Sequence, residues 1–292
     1  MPVFGQLKLK RFLPSKKRRP SYIIIPIFIL VAFAIMAIFA PLLAPHSPTE
    51  PDLSLRYQPP FWNAQGSMDY PLGTDSLGRD ILSRLLYGAR VSISFALLGI
   101  SIAGIIGTVL GLIAGYYGSW VDIAIMRLVD LTISVPFILL AMAMVVVLGQ
   151  SYWNMLFIVS VLFWAMYARM ARGETLSVKE KDFVALAKIS GVSSPIIIVR
   201  HIFPNVVNSL VVLATLQIGT VILFETALSF LGVGIPPPAP TWGSMISDGR
   251  NALSYAWWVT TFPGVAIGAV VLSFNLLGDW LRDKLDPRLR QL

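Results

Sequence analysis

Six stretches of this chain are each about long enough and apolar enough to cross a bilayer: 22–44, 91–116, 119–148, 153–170, 206–231 and 259–281. A hydrocarbon core about 30 Å thick takes roughly 20 apolar residues in helical form. It supplies no water to backbone N–H and C=O groups, so each crossing segment must satisfy them internally, as a helix does. The expected fold class is therefore all-α and polytopic, with six transmembrane helices. Composition agrees: 13% of residues are charged and 56% hydrophobic, whereas a soluble domain carries about 25% charged residues.

The segments between these runs set the expected organisation. A basic tail at 1–21 precedes the first helix at 22–44, which Pro41 and Pro45 are expected to end because proline removes a donor. An external segment follows at 45–90. Within it, Gly73, Gly78 and Gly88 punctuate a turn and a short amphipathic helix that Asp75 can cap, with Ile81, Leu82, Leu85 and Leu86 on its apolar face. A five-helix core at 91–281 contains a loop at 171–205 and another at 232–258, and a short tail occupies 282–292. The second run carries Gly99, Gly104, Gly107, Gly111 and Gly115, a small-residue face that lets a neighbouring helix approach closely. Arg127 and Asp130 can pair on one face of the third run, beside Asp122.

Orientation follows from lysine and arginine. The N-terminal cluster from Lys8 to Arg19, the C-terminal Arg282, Lys284, Arg288 and Arg290, and Arg169, Arg172, Lys179, Lys181, Lys188 and Arg200 around the central loop all belong on the cytoplasmic side of a cell membrane. Both termini and the 171–205 loop are then inside, and 45–90 and 232–258 outside. The formal charge of +8 is accounted for by this bias, so nucleic acid is not an expected partner and membrane lipid is. The N-terminal basic and apolar stretches resemble a signal peptide, but the apolar run is near spanning length, which favours an uncleaved first helix.

Several chemistries are absent from the sequence. There is no cysteine, and the two histidines, His46 and His201, lie in different loops, so no metal site is expected. No GxxxxGK[ST], HExxH or GxSxG pattern occurs. The chain is expected to be non-catalytic and to bind no cofactor of its own.

The loop Asp182–Asn205 carries the sharpest signal. Lys181 to Ala187 suits a short helix with one apolar face. Gly191 stops it, because glycine tolerates the left-handed conformation at a helix end. Ser193 or Ser194 before Pro195 then starts a second helix. Ala185-Leu186-Ala187, then Gly191, then Ile202-Phe203-Pro204 resemble the EAA…G…Ile-x-Pro loop of membrane subunits in bacterial ATP-binding-cassette (ABC) importers. The Glu of EAA is Ala185 here, with Asp182 nearby. Two further segments, Pro71–Ile93 and Phe224–Arg250, and the C-terminal run FNLLGDWLRDKLDPRLR, resemble the dipeptide/oligopeptide/nickel importer permeases, in particular the second (C-type) permease subunit.

That resemblance implies the type I ABC importer permease fold. It also implies a second homologous permease subunit, two ABC ATPase subunits that bind ATP and Mg, and an extracytoplasmic solute-binding protein. It places the ATPase-coupling loop at Lys181, Asp182, Phe183, Ala185, Leu186, Ala187, Gly191, Ile202 and Pro204. Gln217, Thr220, Glu225 and Asn275 are candidates for a pathway or gate; each is open to a second reading, as a helix–helix hydrogen bond or, for Glu225, a locally paired carboxylate. Trp242 beside Pro236, Pro237 and Pro238 suits an interface. The expected cargo is a short peptide, with nickel chelates and oligosaccharides as alternatives. The rival class is an ATPase-independent secondary transporter, which would place paired charged groups near mid-membrane.

Overall fold

The computed structural model describes residues 23–285. All regular structure there is helical, apart from one isolated bridge between Thr74 and Asp80. The basic tail and the last part of the C-terminal tail, residues 286–292, lie outside the described residues. Helix α1 spans Ile24–Leu43. It runs through Pro41 instead of stopping there, and ends where the Ala44 N–H donates to the Ala40 carbonyl at 3.0 Å. A proline in the last turn costs only the bond to the carbonyl four residues earlier, so α1 continues briefly beyond it.

The anticipated amphipathic helix and second span form one rod, α2 (Ile81–Tyr117). Its cap is Asp80 and not Asp75: the Asp80 carboxylate accepts from the Leu82 and Ser83 N–H groups. The segment between α1 and α2 therefore ends at residue 80. Helices α3 (Ser119–Ser134) and α4 (Phe137–Leu148) replace the single third span and meet at 93°. Pro136 removes a donor, and Val135 before it is extended, as residues preceding proline prefer. Among the described residues, five helices are long and apolar enough to cross a membrane, with this bent pair as the sixth candidate.

Helix α5 (Tyr152–Lys179) extends nine residues past the expected end of its span. Then come α6 (Asp182–Ile189), a single turn α7 (Ser194–Ile196), a π-helical stretch Ile197–Ile202 and α8 (Phe203–Phe230). From Ser194 to Phe230 these form one 37-residue span candidate, so the fifth span begins inside the loop. A short α9 (Trp242–Gly249) and α10 (Trp258–Leu285) complete the chain.

The core forms where α2 and α5 run side by side. A Cβ on Gly107 would strike the Trp164 carbonyl oxygen, and one on Gly111 the Ala168 carbonyl oxygen; Gly99, Gly104 and Gly115 face Val159, Tyr167 and Thr175. All five glycines thus face α5, and the two backbones nearly touch. Gly107→Val is expected to push the helices apart at a cost of about 1–3 kcal/mol, as overpacking does, read as a lower unfolding temperature of the purified protein. Helix α3 is fastened to α5 by ion pairs from Arg172 to Asp122 and from Arg169 to Asp130. The expected Arg127–Asp130 pair is not made, because both carboxylates turn toward the arginines of α5, and Arg127 is exposed.

Candidate functional site

At one end of the bundle, α6 and the start of the Ser194–Phe230 rod form a helix–turn–helix. The turn is set by Gly191, whose φ is +75°. Its N–H donates to the Lys188 carbonyl and the Val192 N–H to the Ala187 carbonyl, at 3.0 and 3.1 Å. Nothing lies within 4 Å of where a Cβ on Gly191 would sit, so the requirement is conformational and not steric. Ser193 is the N-cap of the second helix, but its side chain makes no capping bond; Ser194 Oγ instead lies 3.3 Å from the Tyr116 hydroxyl.

Helix α6 has two faces. Val184 and Ala187 are buried against the shared core, which includes Val178, Ile197, Ile198 and Ile202. On the other side, Phe183, Leu186 and Ile189 are 39%, 63% and 83% exposed. Lys181, Asp182 and Ala185 are exposed as well, so the position where EAA carries Glu opens outward. Lys188 Nζ lies 5.4 Å from the centre of the Tyr116 ring, which ties α6 to the end of α2, and Lys179 Nζ, at the end of α5, donates to the Gly115 carbonyl at 3.0 Å. Ile202 is fully buried and Pro204 is exposed. Proline has no N–H for the Arg200 carbonyl, and the π-helical stretch ends at Ile202, two residues before it. The neighbouring His201 carbonyl accepts from Asn205 Nδ2 at 2.8 Å. Wide helical turns of this kind concentrate at functional sites.

The candidate pathway residues separate into different roles. Gln217 is buried and its Nε2 lies 2.6 Å from Met166 Sδ on α5, a helix–helix contact. Thr220 is exposed on α8. Asn275 Oδ1 on α10 lies 3.5 Å from where a Cβ on Gly219 would stand, so it packs against the α8 backbone. Glu225 is 1% exposed, and its Oε1 accepts from Ser229 Oγ at 2.7 Å and Thr241 Oγ1 at 3.0 Å. It ties α8 to the loop that begins α9. Glu225→Ala strands two hydroxyls and opens a void, so about 1–3 kcal/mol should be lost, whereas Glu225→Gln keeps an acceptor in place. Comparing the unfolding temperatures of the two variants checks this.

At the opposite end of the bundle the structure contains a cluster with no clear sequence signal. Asp75 Oδ2 accepts from Arg79 Nε at 2.8 Å and from the buried Arg84, and both arginines reach Asp248 on α9 at 3.1 Å. Four charges thus join segment 46–80, α2 and α9. Trp242 is fully buried and does not lie at an interface: its Nε1 donates to the Leu85 carbonyl at 3.1 Å, Gly88 gives it room, and Phe33 meets its ring edge-on at 5.4 Å. No group of three or more potential metal ligands occurs among the described residues.

A close-packed helical bundle with five or six candidate membrane spans among the described residues, displaying a helix–turn–helix from one end, is the architecture of a multi-pass membrane protein. Residues 107–291 match the family described as the binding-protein-dependent transport system inner membrane component, and residues 24–60 match the N-terminal transmembrane domain of oligopeptide transport permease C. The chain belongs to this permease family. It is 43% identical over 267 residues to the dipeptide transport system permease protein DppC of Alkalihalophilus pseudofirmus, covering 91% of this chain and 86% of the relative. It is 38% identical to the di/tripeptide permease DppC of Pseudomonas aeruginosa, over 90% and 86% of the two chains. Against the glutathione permease GsiD of Pectobacterium atrosepticum the identity is 44%, over 75% and 73%. The fold is that of an ABC importer permease: a solved structure of the MetNI methionine ABC transporter in inward-facing conformations superposes with a TM-score of 0.58 at 17% identity, covering 70% of this chain and 96% of that chain.

Proposed function

We propose that this chain is half of the translocation pathway of an ATP-driven importer of short peptides, and that the Lys181–Pro204 loop is where an ATPase subunit docks. The carrying observation is the outward face of Phe183, Leu186 and Ile189 on a helix whose other face is locked into the bundle. Apolar anchors on a rigid support are what a protein interface concentrates its energy in. The names of the relatives, which speak of dipeptides, di/tripeptides and glutathione, favour a peptide cargo.

In this reading a second permease completes the pathway, and two ATPase subunits bind ATP and Mg. A solute-binding protein delivers cargo to the end formed by segment 46–80 and α9. The chain itself performs no hydrolysis. ATP binding closes the ATPase pair and moves α6. The π-helical stretch before Pro204 joins that movement to α8, where Thr220 faces outward and Glu225 holds the loop that begins α9. Such coupling requires that cargo and nucleotide each favour one of the two states. The loop and both termini lie on the ATPase side, a placement that the basic clusters support.

Affinity purification from native membranes tests the assembly: ATPase chains are expected to come with this chain, and their absence would favour the secondary-transporter class. Uptake of labelled dipeptides by cells lacking the chain should fall to background. Orientation is tested on the naturally cysteine-free sequence. A cysteine at exposed Glu180 should resist an impermeant thiol reagent in intact cells, while one at exposed Ser254 should react.

A further inference from the structure

Segment 46–80 carries an exposed aromatic surface on the side next to α10. Phe61 and Trp62 are 45% and 50% exposed, and Tyr255 and Trp257 are 59% and 41% exposed. Three of these rings are linked through Phe262: Trp62 meets Phe61 edge-on at 5.1 Å and Phe262 at 6.2 Å, and Trp257 meets Phe262 at 6.0 Å; Tyr255 forms a separate pair with Tyr57 at 5.3 Å. The shared ring, Phe262, lies in the second turn of α10, a helix apolar and long enough to span a membrane. Val265, one turn further along, is 65% exposed. Trp62 and Trp257 are therefore held beside the first two turns of α10.

The backbone behind them is fixed. Trp258 Nε1 donates to the Thr74 carbonyl at 3.1 Å, and the Phe61 N–H to the Pro71 carbonyl at 3.3 Å. The rings thus stand on a frame anchored to the start of α10. Tryptophan and tyrosine present an apolar body with one polar edge, which suits the headgroup layer better than either water or hydrocarbon.

The geometry points to the bilayer as the partner of this surface: Phe61, Trp62, Tyr255 and Trp257 are seated in the lipid headgroup layer, so this side of segment 46–80 lies down on the membrane beside α10. The argument is independent of the transported solute and of ATPase docking. It makes the segment a clamp that sets the depth of α10. Through the Arg79 and Arg84 pairs with Asp248, the clamp also sets the depth of α9.

The test uses the assembled importer in phosphatidylethanolamine/phosphatidylglycerol nanodiscs, with the partner chains freed of cysteine. Spin labels are placed at Trp62→Cys, Trp257→Cys and, as the aqueous control, exposed Ser54→Cys. Labels at 62 and 257 are expected to be relaxed several-fold more by oxygen than by a water-soluble nickel chelate, with the reverse at 54. Relaxation at 62 and 257 mainly by the nickel chelate would mean an aqueous surface, and shielding from both reagents would mean a protein partner; either result overturns the proposal. If a cysteine variant fails to assemble, quenching by brominated lipids gives an independent readout. The Trp62→Phe, Trp257→Phe double variant should lose part of the tryptophan emission that brominated lipid quenches. Unchanged lipid-dependent quenching would equally overturn the proposal.

Discussion

Leu186→Asp is expected to release the ATPase subunit while leaving the permease folded. Leu186 is 63% exposed on the free chain, so a carboxylate there costs the fold almost nothing. Once the surface is covered by a partner, the same carboxylate is buried without a counter-charge, at a cost on the order of several kcal/mol. A subunit bound at micromolar strength has about 8 kcal/mol in total, so a loss of this size strips it from the complex. The checks are the amount of ATPase that copurifies, cargo-stimulated ATP hydrolysis, and the unfolding temperature of the isolated permease. The first two should collapse and the third should stay near the parent value. Ile189→Asp should behave alike, because that side chain is 83% exposed on the same helix. Val184→Asp should differ in kind: Val184 is fully buried, so that variant should fail to fold.

The second large effect is expected at the opposite end. Asp75→Ala removes the carboxylate shared by Arg79 and Arg84, leaving the buried Arg84 with only the half-exposed Asp248 as counter-charge. Breaking a buried ion pair from one side costs about 3–5 kcal/mol. Asp75 Oδ1 also accepts from the Leu77 and Arg79 N–H groups, so the turn that leads into α2 loosens as well. The unfolding temperature of the complex should fall markedly, and segment 46–80 should become sensitive to protease. Asp75→Asn can retain the turn bonds while losing the charge, and is expected to fall between the parent and Asp75→Ala. Equal behaviour of the two variants would show that the charge contributes little.

Much of this architecture is legible in the sequence because membrane solvation makes hydrophobic length decisive. The five glycines of the second run announce the α2–α5 contact through their spacing, and Gly191 announces a reversal that needs a positive φ. Boundaries are less legible because lipid and protein interior look alike to a hydropathy pattern. The α2 rod starts at Ile81 because Asp80 caps it, and Asp75, also acidic and near the same turn, offers an equally good local signal. The break at Val135–Pro136 is visible in hindsight as a valine–proline step inside an apolar run, but a proline alone does not say whether a helix bends slightly or folds over.

Long-range pairing is the least legible part. Asp130 has Arg127 three residues away on its own helix, yet the bond goes to Arg169 on α5, because the bend at Pro136 sets α3 down along that helix. Asp248 meets Arg79 and Arg84 across more than 160 positions of chain, and nothing local marks it. Trp242 looks interfacial beside its prolines and is fully buried, because Gly88 leaves a slot for its ring. On α6 the periodicity gives an amphipathic helix, but only the packing tells which apolar residues face inward: Val184 and Ala187 do, and Phe183, Leu186 and Ile189 stay exposed.

The central claim is that α6 is the contact through which an ATPase drives this permease. Cross-linking from a single cysteine at Ile189, on the cysteine-free chain and in native membranes, tests it most directly. The account predicts one dominant adduct, with a cytoplasmic ATP-hydrolysing subunit, whose yield changes when ATP is bound. No protein adduct from position 189, or ready labelling of that cysteine by an impermeant reagent in intact cells, would contradict it.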